Sequence, residues 1–425
     1  MFPRSIRHAA VVLLCALPGV PRLAVGQAQA APAPDTLRLD DALGLALARN
    51  PALRAADFRA EAAAERVGPA GALPDPQVQV GLMNRMAGDL GSTADPMTMN
   101  QFQFMQMLPF PGKLGRARAA ARHGALAVAA DASEQRRALA GQVRSSYFAL
   151  AYTDRALDAL RRSRALLQDF ARVATTLYSV GGGLQQDVLR AQIEVARMDE
   201  EIATSEQERV AGAARLNALL GREAMVPIGG LELPTDTLPL PSADSLAALA
   251  LGGRAAIQAG AERIAAADAA LGAAKRERLP DFQVGLAYQQ RPAFPDMVSL
   301  MLGVSLPIFP GRRQIPLRRE MAAMQQMAQA EQLDLRNETT AEVVEARARA
   351  ERDRTLARLY QDRIVPQARA AVQSALAAYH VGKVDFATLV DDQLMVTRYE
   401  IETWRLRADH EEAKADLATL TGALP

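Results

Sequence analysis

The second half of this chain repeats the first, block for block and in the same order. At a spacing of 201 residues and without a gap, Tyr178-Ser179-Val180-Gly181 falls on Tyr379-His380-Val381-Gly382, Gln192 on Gln393, and the run 216–221 on 417–422. Upstream, Leu73-Pro74-Asp75 matches Leu279-Pro280-Asp281, and Leu108-Pro109-Phe110-Pro111-Gly112 matches Leu306-Pro307-Ile308-Phe309-Pro310-Gly311. The chain is therefore confined to folds that use one unit twice. A duplicated unit that cannot close its own structure points further, to a symmetric assembly.

With 425 residues the chain could supply about two or three ordinary domains, yet aromatic residues make up 4% of it and its 49% hydrophobic content leans on alanine. Alanine favours helix and lets helices approach closely, so the balance predicts long, thin helical packing rather than a thick core. The fold class expected is mainly α, with a β element inserted. Residues 1–30 have the pattern of an export signal: Arg4 and Arg7, an apolar run from Ala9 to Leu17, and Ala28-Gln29-Ala30 as a small-x-small cleavage site. The only cysteine, Cys15, falls inside that run and follows Leu14, so neither a lipid anchor nor a thiol is expected in the mature protein.

Three of the 49 Lys and Arg and none of the 48 Asp and Glu lie in that leader, leaving 46 against 48. This balance carries no basic footprint for nucleic acid. Beyond the leader, no stretch approaches the roughly 18 apolar residues of a spanning helix. An exported chain of this kind can cross a membrane only as a β-barrel.

The periodicity changes along each copy. It is helical from about Leu37 to Ala70, broken at Asn50-Pro51. It then alternates in Gln77–Leu82 and again from Met97 to Leu108, where Phe102, Phe104 and Leu108 share one face and Met99, Gln101, Gln103, Met105 and Met107 the other. The second copy alternates likewise, with Val298, Leu300, Leu302, Val304 and Leu306 opposite Met297, Ser299, Met301, Gly303 and Ser305. One apolar and one small or polar face is the pattern of a membrane-barrel strand, though a half-buried sheet in a soluble sandwich alternates too. A helical rod of roughly 100 Å follows each hairpin, over about 113–177 and 313–379, the second with Pro366 inside it. Each rod turns at Tyr-x-Val-Gly into a returning helix. There Val188, Val195, Ile202 and Leu216, and likewise Leu389, Val396 and Leu417, keep a coiled-coil spacing interrupted by Arg209, Thr403 and His410. The expected organisation is a first repeat over 31–225 (hairpin about 75–108, helical hairpin about 113–221), a Pro- and Gly-rich linker over 226–241, and a second repeat over 242–425 (hairpin about 281–307, helical hairpin about 313–421).

Hairpin, rod, tight turn and returning helix, all twice, resemble the TolC-like outer membrane efflux family, in its heavy-metal branch. The residues that carry the resemblance are Tyr178 to Gly181 with Asp187 to Gln192, Tyr379 to Gly382 with Leu389 to Gln393, the Leu-Pro-x-Phe-Pro-Gly exits and Ile364-Val365-Pro366. The resemblance implies a homotrimer whose twelve strands close a β-barrel in outer-membrane lipid above a periplasmic α-helical tunnel, working with a periplasmic adaptor protein and an inner-membrane RND-type pump. Four strands per chain agree with this, because they fall short of the smallest membrane barrels and leave two open edges.

No catalytic constellation or cofactor motif is present; outside the leader the histidines are His123, His380 and His410. The tips Tyr178, Gly181, Tyr379 and Gly382 are expected helix caps and, by resemblance, adaptor contacts. The charged residues Asp187, Lys383, Asp385, Asp391 and Asp392 could simply favour helix N-termini; the resemblance makes them a periplasmic aperture, with Thr388 and Val384 departing from the family's acidic and basic positions. Methionine is dense in the hairpins. Met99, Met105, Met107, Met297 and Met301 are candidate soft-metal ligands, the alternative being flexible apolar filler. The functional expectation is a passive exit duct for heavy-metal cations. Its rivals are a multidrug or type I secretion duct, and a periplasmic coiled-coil adaptor or scaffold.

Overall fold

The computed structural model describes residues 36–91, 93, 95–234, 239–292 and 294–422; the expected leader, with Arg4, Arg7, Cys15 and Ala28-Gln29-Ala30, lies outside them. Helices α1 (Leu39–Arg49), α2 (Pro51–Glu65) and α3 (Val67–Ala70) precede strands β1 (Gln77–Met83) and β2 (Met99–Leu108). The first helical hairpin is α4 (Lys113–Ser179) and α5 (Gln185–Leu219). The second copy runs through α6 (Ala243–Gly253), α7 (Ala255–Arg276), β3 (Asp281–Gln290) and β4 (Met297–Ser305) to α8 (Gln314–Leu359), a π-helical turn Tyr360–Ile364, α9 (Val365–His380) and α10 (Phe386–Thr421).

The four strands form one antiparallel sheet in the order β1-β2-β3-β4, so the two hairpins join edge to edge through β2 and β3. The register puts Gln77, Met105, Gly285 and Met301 in a single row across the sheet, and side-chain alternation sorts every row by face. One face carries Val78, Val80, Phe102, Phe104, Leu286, Leu300 and Leu302, all largely exposed, up to 75% for Leu302. The other carries Gln79, Gln101, Gln103, Gln283 and Ser299 among methionines and glycines. No strand among the described residues covers the outer edge of β1 or of β4. At seven residues, β1 follows the alternation and ends where Asn84 takes φ 54°. Asn84 then holds the turn, its side chain donating to the Met97 carbonyl at 3.0 Å while its own carbonyl accepts from the Thr98 hydroxyl at 3.1 Å.

The rods differ between the copies. Helix α4 is continuous over 67 residues, about 100 Å. The second rod is interrupted where Pro366 cannot donate to the preceding turn and its ring crowds the chain. One extra residue absorbs the mismatch, with the Val365 amide bonding five residues back to the Tyr360 carbonyl.

The core is strung along the rods. One cluster packs Leu37, Val143, Tyr147, Phe148, Leu150 and Leu216 against Ile228, Leu231 and Leu233. The stretch expected as the linker between the copies is packed in its first half. Tyr147 ties it down, its hydroxyl donating to the Leu37 carbonyl at 2.8 Å and accepting from the Glu232 amide at 3.1 Å. A second cluster, near the tips, gathers Leu167, Phe170, Tyr379, Phe386 and Leu389; a third joins α6 to α8 and α10 through Leu246, Val343 and Leu420. Each polar interruption of the coiled-coil spacing finds a partner in place, though the second ring nitrogen of His410, Nε2, is buried without one. Arg209 donates to Asp154 at 2.5 Å, the Thr403 hydroxyl donates to the Tyr399 carbonyl, and buried His410 meets the Ala350 carbonyl through Nδ1 at 2.8 Å.

The copies solve one junction differently. Asn50 and Arg254 hold the same extended backbone before α2 and α7, φ −64° and −68°. Asn50 caps α2 through the Ala52 amide at 2.8 Å and donates to the Leu219 carbonyl at 2.9 Å. Arg254 instead clamps Glu134, Glu342 and Thr339 at 3.0, 2.7 and 2.8 Å, joining α4 to α8. Arg254→Met is expected to strand two half-buried carboxylates and destabilise the fold by about 1–3 kcal/mol, seen as an earlier denaturant midpoint. Arg254→Lys, which keeps the charge but loses the fork, should fall between.

Candidate functional site

Two regions carry the chemistry that this scaffold offers. The first is the pair of tips where α4 turns into α5 and α9 into α10. Gly181 and Gly382 take φ 77° and 69°, a conformation that a Cβ would strain. The following amides close the ends, Gly182 on the Leu177 carbonyl and Lys383 on the Ala378 carbonyl, both at 2.9 Å. Beyond that shared cap the tips are unlike. Tyr379 is buried against Phe386 with ring centroids 5.4 Å apart, whereas Tyr178 is exposed. The Tyr379 hydroxyl has no partner in good hydrogen-bond geometry, yet Asp187 faces it. Burial first, and then the Asp187 charge, raise the Tyr379 pKa.

The five charged residues expected at an aperture separate into distinct tasks. Asp385 caps α10, accepting from the Thr388 amide at 2.9 Å and its hydroxyl at 2.5 Å. Those two bonds, with Arg190 adding its charge, hold the Asp385 carboxyl below the ordinary aspartate range. Thr388, which departs from the family pattern, thus serves the cap. Asp391 pairs with Arg190 at 3.0 Å, and these two occupy equivalent positions in the two copies, 201 residues apart. Sequence alignment of the copies sets Arg190 opposite Asp391, but only the fold brings their side chains into contact. Asp187 faces Tyr379, while Asp392 lies on the second turn of α10 and Lys383 in the loop before that helix.

The second region is the polar face of the sheet. Met99, Met105, Met107, Met297 and Met301 all project from it, and Met83 pairs with Met99 at its far end. Gly285 stands between Met105 and Met301, where a Cβ would lie 3.4 Å from Met105 Cγ and 3.3 Å from Met301 Cε. The amide nitrogen of Gln283 lies 3.4 Å from the Met105 sulfur and that of Gln103 4.0 Å from the Met301 sulfur. Among the described residues, no group of three or more His, Cys, Asp or Glu is placed to hold a metal ion, and no helix is long and apolar enough to cross a membrane.

The sequence profile of outer membrane efflux proteins matches residues 42–222 and again 246–423, one match per copy. The chain belongs to the outer membrane efflux protein family. It is accordingly an outer membrane efflux channel protein and not an enzyme. The rival assignment as a periplasmic coiled-coil adaptor or scaffold falls with that membership. None of the curated proteins matches the chain. Among solved structures it is similar to the outer-membrane channel OprN, at 18% identity, with 91% of this chain and 90% of that one covered and a TM-score of 0.79. VceC from Vibrio cholerae gives 18% identity, 90% and 96% coverage and a TM-score of 0.77. CusC, described for its folding and transmembrane channel formation, gives 19%, 90% and 91%, and 0.77. At these identities the likeness shows the fold.

Because the folded Asp385 carboxyl is depressed, its cap is charged at and above the ordinary aspartate pKa and is lost only as pH falls through the lower folded value. Hydrogen exchange of the first-turn amides of α10 should therefore stay slow from neutral pH into the ordinary carboxylate range. Asp385→Ala should make it fast at every pH, whereas Asp385→Asn, another good cap residue, should retain protection and remove the pH dependence.

Proposed function

We propose that this chain is one third of a homotrimeric exit duct: β1 of each protomer pairs with β4 of the next to close a twelve-stranded barrel, and the helices below it form a periplasmic tunnel. The observation that carries this is the open sheet. Its outer strands run in opposite senses, so β4 can meet a neighbouring β1 antiparallel all the way round the ring. Closure removes every edge, as hydrocarbon requires. It also turns Val78, Val80, Leu300 and Leu302 towards lipid and the glutamine and methionine face towards the lumen. Substrate would be delivered by an inner-membrane RND-type pump through a periplasmic adaptor that engages the tips around Tyr178, Gly181, Tyr379 and Gly382.

The substrate class we infer is soft heavy-metal cations, supported by a lumen face that offers thioethers and amides in place of a hydrophobic lining. The aperture would be acidic overall, since Asp187, Asp385, Asp391 and Asp392 outnumber Arg190 and Lys383. The Arg190–Asp391 pair is solvent-exposed and worth at most about 1 kcal/mol per protomer, which suits a contact that an adaptor must displace.

A deletion strain is expected to become sensitive to silver and copper salts but not to dyes and detergents. The reverse spectrum would replace the metal assignment with a multidrug duct and leave the duct itself intact. In planar bilayers, Asp187→Ala combined with Asp391→Ala is expected to weaken cation preference, and Arg190→Ala to raise the open probability of the closed channel. Unaltered selectivity and gating would remove the aperture assignment.

A further inference from the structure

We propose that Met105 and Met301, facing each other across Gly285, form a two-thioether waypoint for a soft monovalent metal ion, silver(I) or copper(I), inside the barrel. The inference rests on the duct reading, because closure is what makes this face a lumen, and it adds a location and a ligand set to it.

Three observations carry it. The first is the row itself: register sets Met105, Gly285 and Met301 side by side on three adjacent strands. The second is the close approach. A glycine there lets both methionines lie in over the strand, since a Cβ on Gly285 would crowd Met301 Cε at 3.3 Å and Met105 Cγ at 3.4 Å. Glycine in a strand interior weakens the strand unless something else approaches there. The third is the pair of amides. Gln283 and Gln103 direct NH2 groups towards the Met105 and Met301 sulfurs, at 3.4 and 4.0 Å. A thioether sulfur has two lone pairs, so a sulfur that accepts one weak bond keeps the other for a metal while losing rotamer freedom.

The ligand chemistry selects the ion. Thioethers are soft and uncharged, which favours closed-shell monovalent ions content with two ligands over zinc or cobalt. With no carboxylate in the row, the ion keeps its charge unneutralised and is held weakly. Weak, repeated sites are what conduction demands, because an ion must leave as readily as it enters. Met107 and the Met83–Met99 pair continue the thioether supply to either side of the row along β2. The only thiol in the chain, Cys15, lies in the expected leader.

The test uses the full-length protein in a Cys15→Ser background, with silver nitrate as the probe in chloride-free buffer. Equilibrium dialysis of the detergent-solubilised protein should give one silver per chain at the tightest class of site. Met105→Leu with Met301→Leu is expected to weaken that class on the order of tenfold or more. Gly285→Val should do the same with both sulfurs retained, because the new side chain pushes both methionines off the strand. Met324→Leu with Met327→Leu, two exposed methionines of α8 outside the sheet, should leave it unchanged. In bilayers, silver should reduce single-channel current reversibly in the parent and in the Met324/Met327 variant, and not in the other two. Equal silver binding by the parent and the Met105/Met301 variant overturns the proposal, as does a loss of binding that follows only replacement of Met99 and Met297. Absence of any channel current, with the binding difference intact, would instead count against the duct.

Discussion

An unpaired backbone amide cannot be left in hydrocarbon, and the whole design of this chain follows from that constraint. Its sheet has four strands and two open edges, with an apolar face that no part of the described chain covers. Such a surface is an aggregation hazard on a soluble protein and a barrel segment on a membrane one. The rest of the molecule is consistent with a unit that finds its missing contacts in copies of itself: three small clusters strung along long helices, buried alanines where helices touch, and no thick interior.

Duplication supplies this architecture cheaply, and divergence between the copies gives it function. Both tips share the glycine cap, yet Tyr379 is buried and Tyr178 exposed. Arg190 and Asp391 occupy equivalent positions and carry opposite charges, so the relation between the copies becomes an ion pair. Asn50 caps a helix where Arg254 clamps two others. In the proposed trimer these differences would alternate around the tunnel, which is how a ring of similar hairpins can acquire two kinds of contact and hence a gate.

Much of the fold was legible because it depends on local periodicity. Strands announced themselves by alternation in Met99–Leu108 and Met297–Ser305, and the tips by glycines just past long helical runs. What was not legible depends on contacts between distant segments. The stretch 226–241 has the prolines and glycines of a linker, but Ile228, Leu231 and Leu233 are buried, with the Tyr147 hydroxyl within reach to accept from the Glu232 amide between them. Pro366 signals a break, while the form of the break, an extra residue in the preceding turn, depends on keeping the rod packed on both sides of it. The role of Thr388 as part of the Asp385 cap was equally hidden, because family resemblance drew attention to the charge it lacks.

By itself, the sequence determined that a β-hairpin and a long helical hairpin occur twice, that one strand face is apolar and the other rich in methionine and glutamine, and that beyond the leader no stretch is long and apolar enough for a spanning helix. These are properties of residue order within a segment, where a period of 2 or 3.6 leaves a direct trace. The tertiary structure alone decided that β2 pairs with β3, in the register that sets Met105 and Met301 on either side of Gly285, and that Arg190 reaches Asp391. Pairing between segments nearly 200 residues apart is chosen by the summed packing of everything between them. A shift of one residue would have turned the methionines to the opposite face without altering the alternation from which the strands were read.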